Sequence, residues 1–304
     1  MLARRHIVLF LAAACAALVC SCERSPKPTA AAGSPPRLAV LSPALAQTLR
    51  DLGDGDFIVA RHSWDSFTPN VPAVGSETGI NYEDLLKINP THVLLQSSAK
   101  GVPPQLEDLA RQHGWKIESI PLLTLADIRA SIPRLDAIAH PGQPTSSIPP
   151  ALTRFEAAVK PIPGFGERAG KVLVLAGTDP PGVMGPGSFH YQLVETLGGV
   201  CLPREGAPYI SLSLEDVLKL DPDSLVLLMP GASPGMSAEA ALGAVAKINL
   251  RCVRARRVVM VTDSKCQLPA SSLGITAAEI ARQVAAWTPI STVAQPSHTE
   301  PVSK

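Results

Sequence analysis

The stretch YEDLLKINPTHVLL, Tyr82 to Leu95, returns as LEDVLKLDPDSLVLL, Leu214 to Leu228. Each copy runs from an acidic pair through a short amphipathic segment and a polar-Pro break into an apolar run. Two copies so far apart argue for two similar lobes and against a short-period array. Two lobes enclose a groove, and grooves between domains are where small ligands bind. The copies also give each half an acid at the same place.

The chain opens as an export leader. Arg4 and Arg5 precede the apolar segment Ile7 to Val19, which is too short to span a bilayer comfortably. Val19-Cys20-Ser21-Cys22 follows and resembles a lipobox, with Cys22 as the acylated residue. The organisation read from the sequence is a signal peptide over 1–22, a Pro/Ala/Ser-rich tether over 23–36, an N-terminal α/β lobe over 37–140, a connecting helix over 141–168, a C-terminal lobe over 169–288 and a disordered tail over 289–304. Lys and Arg total 27 against 26 Asp and Glu. Loss of Arg4 and Arg5 with the leader leaves a chain of about −1. That excludes a basic field for nucleic acid and a basic helix for lipid. Cys201, Cys252 and Cys266 follow Cys22. An exported compartment permits a disulfide, and Cys252 and Cys266 flank an apolar run that allows them to meet.

Strands and helices alternate, as in a parallel α/β sheet. Strands are expected at Arg37 to Leu41, Phe57 to Ala60, His92 to Gln96, Trp115 to Ile120, Lys171 to Ala176, Leu225 to Met229 and Arg257 to Val261. Helices fall between them, and Thr178 to Gly187 reads as a Gly/Pro loop. Ala126 to His140 is amphipathic at helical spacing, and so is Pro149 to Lys160, where Leu152, Phe155 and Val159 share a face. The second is read as the crossing helix, ended by Pro161 and Pro163, and stiff enough to limit hinge closure. The predicted fold is therefore α/β, two doubly wound three-layer lobes joined by one long inter-lobe helix.

Open α/β sheets bind ligands beyond the carboxyl ends of their strands. The candidate cleft residues are accordingly Ser42, Pro43, His62, Trp64, Phe67, Gln96, the stretch Asp179 to Met184 with Met184 foremost, Tyr209, and the stretch Asp263 to Pro269 with Asp263 foremost. Aromatic residues are only 4% of the chain, so Trp64 and Phe67 in one polar loop favour contact with a flat or apolar ligand. Local packing within that loop is the alternative. His62 and His190 have imidazole donors, but neither has a carboxylate or thiolate at ligand spacing, which favours ordinary hydrogen-bonded histidines. No GxSxG, P-loop or GxGxxG pattern is present. Glu83 and Glu215 each stand two residues after a capping residue, Asn81 or Ser213. Acids there complement a helix dipole, which is one complete account of them. The other is a matched pair of exposed carboxylates for two Arg sites on a partner.

Several blocks, in order, resemble the class III substrate-binding proteins of ABC importers. These are RLAVLSPALAQTLRDLG, VPAVGSETGINYEDLLKINPTHVLL, LVETLGGV and APYISLSLEDVLKLDPDSLVLL, within a similarity running from about Arg37 to Trp287. The resemblance implies two α/β lobes joined by one long helix, and a cleft for cobalamin, a ferric siderophore, haem or a related chelate. It implies that Glu83 and Glu215 dock on a permease dimer, and that Phe67 and Tyr209 hold positions of cleft aromatics, with Trp64 and Asp263 close by. The expected protein is a monomeric, lipid-anchored receptor in the cell envelope. It uses no cofactor and no resident metal, performs no bond chemistry, and prefers a corrinoid, then a ferric siderophore, then haem. The alternative is an envelope enzyme or ligand sensor on the same two-lobe fold.

Overall fold

The structure, a computed structural model, describes residues 35–143, 147–233 and 235–290. The leader, Cys22, the tether up to residue 34 and the tail beyond residue 290 lie outside the described residues.

The first half forms a six-stranded sheet in the order β4-β3-β2-β1-β5-β6. Its strands are β1 (Leu38–Val40), β2 (Ile58–His62), β3 (Ala73–Ser76), β4 (Gly79–Ile80), β5 (His92–Gln96) and β6 (Lys116–Ile120). Only β4 runs antiparallel to its neighbour. The helices of this half are α1 (Pro43–Leu52), α2 (Tyr82–Ile88) and α3 (Pro104–His113). The second half forms a sheet in the order β10-β8-β7-β11-β12, with β9 also paired to β7. It comprises β7 (Lys171–Thr178), β8 (Pro181–Met184), β9 (Val200–Leu202), β10 (Tyr209–Ser211), β11 (Ser224–Leu228) and β12 (Val258–Val261). The parallel trio β7-β11-β12 repeats the trio β1-β5-β6, with the two duplicated segments supplying β5 and β11.

Between the sheets the chain is helical: α4 (Leu125–Ala139), α5 (Pro150–Ala158) and α6 (Phe165–Ala169). The crossing is shared. The expected helix over Pro149 to Lys160 is α5, which stops short of Pro161, and residues 141–168 hold two helices separated by a proline-containing turn. The 15-residue α4 is the longest of the three. Its Leu125 N–H donates to the Gln192 side chain at 2.9 Å. Gln192 belongs to α7 (Phe189–Leu197) of the second lobe, so α4 also touches both halves. The remaining helices are α8 (Leu214–Leu220), α9 (Ala238–Leu242), α10 (Arg251–Arg254) and α11 (Leu273–Ala285).

Strand alternation sorts the side chains into cores. Leu38, Val40 and Leu94 of the first sheet point to the same side as Ile128, Ile132 and Leu135 of α4, and Val172, Val174, Val226 and Leu228 of the second sheet complete one continuous cluster. The opposite faces each have a core of their own: Ala39, Val93 and Trp115 in one lobe, Leu173, Leu225 and Leu227 in the other. A polar seam reinforces the shared core. Ser271 Oγ donates to Asp51 Oδ2 at 2.6 Å, the Ser271 N–H meets Thr48 Oγ1 at 3.3 Å, and Arg154 donates to the Asp51 carbonyl at 2.9 Å.

Two sequence expectations are corrected. Thr178 to Gly187 is not a loop. Its first half turns β7 back into β8, which pairs antiparallel with both β7 and β10. The Gly and Pro content hid a strand whose residues make a tight hairpin. The Cys252–Cys266 pairing does not form, because Cys252 sits in the outer core of the second lobe and Cys266 in the shared core. The second sheet lies between those cores.

His190, at the start of α7, is fully buried and its Nε2 donates to the Cys266 carbonyl at 2.7 Å. Burial pushes its pKa down from 6.5 to about 4. An unfolded chain binds the proton near 6.5 while the folded one resists it. The histidine's contribution is therefore whole above pH 6.5 and is lost as the pH falls toward 4. The loss amounts to about 3 kcal/mol at most. Thermal melts from pH 7 to pH 4 should show a shallower decline for His190→Gln than for the parent chain.

Candidate functional site

Parallel strands direct their carboxyl ends, and the loops that follow, to one edge of each sheet. The loop after β2 is the most constrained of these. Asp65 is completely buried, and its carboxylate receives both terminal nitrogens of Arg50, at 3.0 and 3.2 Å. Thr68 Oγ1 and the Phe67 N–H donate to the same carboxylate at 2.5 and 3.1 Å. Arg61 binds the carbonyls of Val71 and Asp65 at 2.8 and 3.0 Å. With its backbone fixed in this way, the loop holds Trp64 outward, 63% exposed. The Phe67 ring has the Arg50 guanidinium at 5.4 Å and the Lys265 ammonium of the other lobe at 5.5 Å. A cation near an aromatic face is attracted by the ring quadrupole, so this contact ties the loop across to the second lobe.

His62 ends β2 and does not belong to the loop. Gly75 on β3 makes room for its ring, since a Cβ there would meet His62 Cδ2 at 2.9 Å. His62 Nδ1 accepts from the Trp64 N–H at 3.2 Å, and the two rings lie 5.0 Å apart. Burial lowers its pKa, partly opposed by a hydrogen bond with the Ser76 backbone and by the nearby Glu77 charge. His62 therefore orients Trp64 through Nδ1.

Farther along the first sheet, Gln96, Ser97, Pro121, Leu122 and Leu123 face Phe189 and Pro269 of the second lobe across a cavity of about 600 Å³. Leu123 is 53% exposed. On the second lobe Tyr209 is 60% exposed on β10, opposite Met184 of β8. The Tyr209 ring lies over Gly182, where a Cβ would collide with its hydroxyl. Asp263 accepts the Lys265 N–H at 2.9 Å, bracing the turn that carries Lys265 to Phe67.

The structure thus exposes Trp64, Gln96 and Tyr209 and half-exposes Phe67, His62 and Asp263. It does not open every expected residue. Ser42 is buried with its hydroxyl unpaired, at the start of α1 beside Pro43, and Met184 packs against the shared core. Asp65, Arg50 and Phe189 were missed, and Lys265 falls within the expected stretch Asp263 to Pro269. Asp65 follows Trp64 directly, but its burial depends on an arginine fifteen positions away. Phe189 had a local signal: Ser188 caps α7 and so places Phe189 at the helix start.

The duplicated helices divide the labour between adjacent acids. In α2, Asn81 accepts the Asp84 N–H at 3.1 Å and donates to the Asp84 carboxylate at 2.7 Å. In α8, Ser213 accepts the Asp216 N–H at 3.1 Å and donates to its carboxylate at 2.6 Å. The Ser213 hydroxyl and then its backbone N–H hold the Asp216 carboxyl below the usual range. Capping therefore uses the aspartates. Glu83 and Glu215 remain outward, with side chains 81% and 76% exposed, and each meets only the lysine one turn on, Lys87 at 2.9 Å and Lys219 at 3.0 Å. Short turns feed α2 into β5 and α8 into β11, so each helix begins at the level where its strand ends. Both glutamates consequently lie at the strand-carboxyl edge of their own lobe.

The sequence matches no protein-family model and no curated protein. Solved structures do match. The periplasmic haem-binding protein HutB of Vibrio cholerae superposes with a TM-score of 0.65 at 20% identity, over 83% of this chain and 98% of that one. The periplasmic vitamin B12-binding protein BtuF of the same organism gives 0.61 at 18% identity, over 83% and 97%. A periplasmic haem-binding protein from Pseudomonas aeruginosa gives 0.62 at 19%, over 85% and 96%.

Replacing Asp65 by Ala leaves the partly buried Arg50 without its carboxylate. The expected cost is about 3 kcal/mol in denaturant unfolding. In a limited digest the 63–72 loop should become the first site cut, whereas the parent loop resists. At these identities the likeness establishes architecture: the chain has the two-lobe α/β fold shared by periplasmic binding proteins.

Proposed function

We propose that the protein is the substrate-binding component of an ABC importer, and that it captures a metal chelate between its lobes and delivers it to a permease. The observation that carries this reading is the cavity of about 600 Å³ lined by residues of both lobes, Gln96 and Leu123 on one and Phe189 and Pro269 on the other, together with an exposed aromatic residue on each lobe, Trp64 and Tyr209. Large exposed apolar side chains around a concavity mark a binding surface. Structural neighbours include a periplasmic vitamin B12-binding protein and periplasmic haem-binding proteins. Affinity would come from covering the ligand's apolar faces at about 25 cal/mol per Å². Gln96 and the serines after it would supply orientation.

A corrinoid is the first candidate, a ferric siderophore the second and haem the third. Coordination chemistry supports that order. Nδ1 of His62 is engaged by the Trp64 N–H, and His190 is buried behind the cleft wall, so neither imidazole is presented as an axial ligand. A chelate whose metal is already saturated suits such a cleft. The exposed Tyr209 phenol is a donor that haem would use. Titration with cobalamin, followed by tryptophan fluorescence, should show binding that Trp64→Ala weakens at least about tenfold, as expected of an aromatic anchor. Tyr209→Phe should leave that binding nearly intact. Parent-level affinity in Trp64→Ala removes Trp64 from the site, and tight haem binding abolished by Tyr209→Phe reverses the ligand order. Turnover of a chelate without stoichiometric binding favours the enzyme reading.

Acylation of Cys22 would tether the protein to the membrane. Among the described residues no helix is long and apolar enough to cross one. Glu83 and Glu215 would dock on the permease. Their release from capping and their place at the strand-carboxyl edge of each lobe support that role. Bidentate arginine contacts at two separated points fix orientation as well as affinity. Glu83→Ala combined with Glu215→Ala should leave chelate binding unchanged and abolish uptake in cells carrying the native permease. Unchanged uptake removes the docking role.

A further inference from the structure

At the far side of the first lobe, away from the strand-carboxyl edge, the carboxyl ends of α1 and α4 converge. Gly53, in the left-handed region at φ 95°, ends α1 and delivers Asp54. Asp54 stands where its side chain would ordinarily cap the short 3₁₀ turn Gly55–Phe57, yet it makes no such bond. It is turned instead toward the end of α4. One carboxylate oxygen is 3.3 Å from His140 Nε2. The other is buried and meets no hydrogen-bond donor, and the residue is only 6% exposed. An unpaired buried carboxylate oxygen is costly, so this one requires a partner.

The histidine supplies the complementary argument. His140 Nδ1 lies 3.2 Å from the Asp136 carbonyl oxygen. A carbonyl cannot donate, so Nδ1 carries the hydrogen and, in the neutral ring, Nε2 presents a lone pair. That lone pair points at a carboxylate, which is two acceptors facing each other across 3.3 Å. A proton on Nε2 or a cation between them resolves the conflict, and a proton leaves the second, buried oxygen of Asp54 still unpaired. A backbone carbonyl fixing the other ring nitrogen is also the usual way in which a metal-ligating imidazole is oriented. The Asp136 carboxylate stands beside them, and donor atoms from Asp54, Asp136 and His140 all lie within 4.8 Å of one another. Metal bonds of 2.0–2.2 Å in a tetrahedral set need donors about 3.4 Å apart. Asp136 on the last turn of α4 and His140 just beyond it, each about a third exposed, have room to close that gap. Two helices also aim the negative ends of their dipoles at this place.

We propose that Asp54, Asp136 and His140 form a structural site for a divalent transition cation, with zinc as the best-suited ion. Two carboxylates and one imidazole match the N/O preference of such ions, whereas calcium and magnesium favour oxygen alone. Water would complete the coordination. The ion would clip the end of α1 to the end of α4, the helix that also touches the second lobe, and so brace the frame and take no part in holding the chelate. It is a second metal-binding function, separate from any metal carried as cargo.

The test uses the full-length chain, stripped with a chelator and dialysed against Zn(II) in the absence of any organic chelate. The parent should retain one equivalent of zinc at this site and melt at a higher temperature with it. Asp136→Asn combined with His140→Gln, both on a partly exposed surface, should bind at least about tenfold more weakly and lose the zinc-dependent shift. His113→Gln, on an exposed turn of α3, should behave as the parent. With Co(II) in place of zinc, the His140 ring resonances should be shifted or broadened beyond detection. No zinc-dependent shift in the parent, or equal binding by the double variant, overturns the site and reduces the cluster to an Asp–His ion pair. Neither result bears on the cleft, since no chelate is present.

Discussion

One apolar core is shared by both lobes, and the site depends on it. Side chains from the inner faces of the two sheets, from α4 and α5 and from α11 form a single cluster. Burial of apolar surface is non-directional and strong, so a common core couples the lobes more firmly than a flexible linker could. Hydrogen bonds from Ser271 to Asp51 and to Thr48 then give that joint a register. The cleft is consequently a fixed feature of the scaffold.

The loop after β2 shows how a small number of ionic contacts turn that scaffold into a site. Its short polar sequence has little to bury. Asp65 inverts the usual preference of a charged residue for water and is paid for by a two-pronged arginine and two further donors. The result is a loop that can hold a tryptophan outward. The duplicated helices show a different economy. Adjacent acids have separate jobs: the aspartates satisfy helix ends, and the glutamates are left available at matching places in the two lobes.

Much of this was legible in the sequence, for identifiable reasons. The duplicated segment made the two-lobe reading possible, and the buried runs HVLL and SLVLL gave their strands by apolar continuity. The caps Asn81 and Ser213 were readable because capping is local. The short strands β3, β4, β8 and β10 were not, since glycine, proline and polar residues mask a hairpin whose stability comes from partners elsewhere in the sheet. Trp64, Phe67, Gln96 and Tyr209 were expected from the rule that ligands gather beyond strand ends, and the structure leaves them exposed or half-exposed. Asp65, and the reach of Lys265 to Phe67, escaped because they rest on partners distant in sequence. Cys252 and Cys266 misled for the same reason: proximity along the chain says nothing about which face of a sheet each thiol occupies.

The central claim is that the shared core holds the lobes at one spacing. Pulsed electron-spin distance measurement tests it most directly, with labels at Glu107→Cys and Glu239→Cys, two exposed positions on different lobes of a chain whose Cys201, Cys252 and Cys266 are buried. The account predicts a single narrow distance distribution that moves by less than about 2 Å when cobalamin is added. A broad distribution in the free protein, or a larger displacement on adding cobalamin, would contradict it.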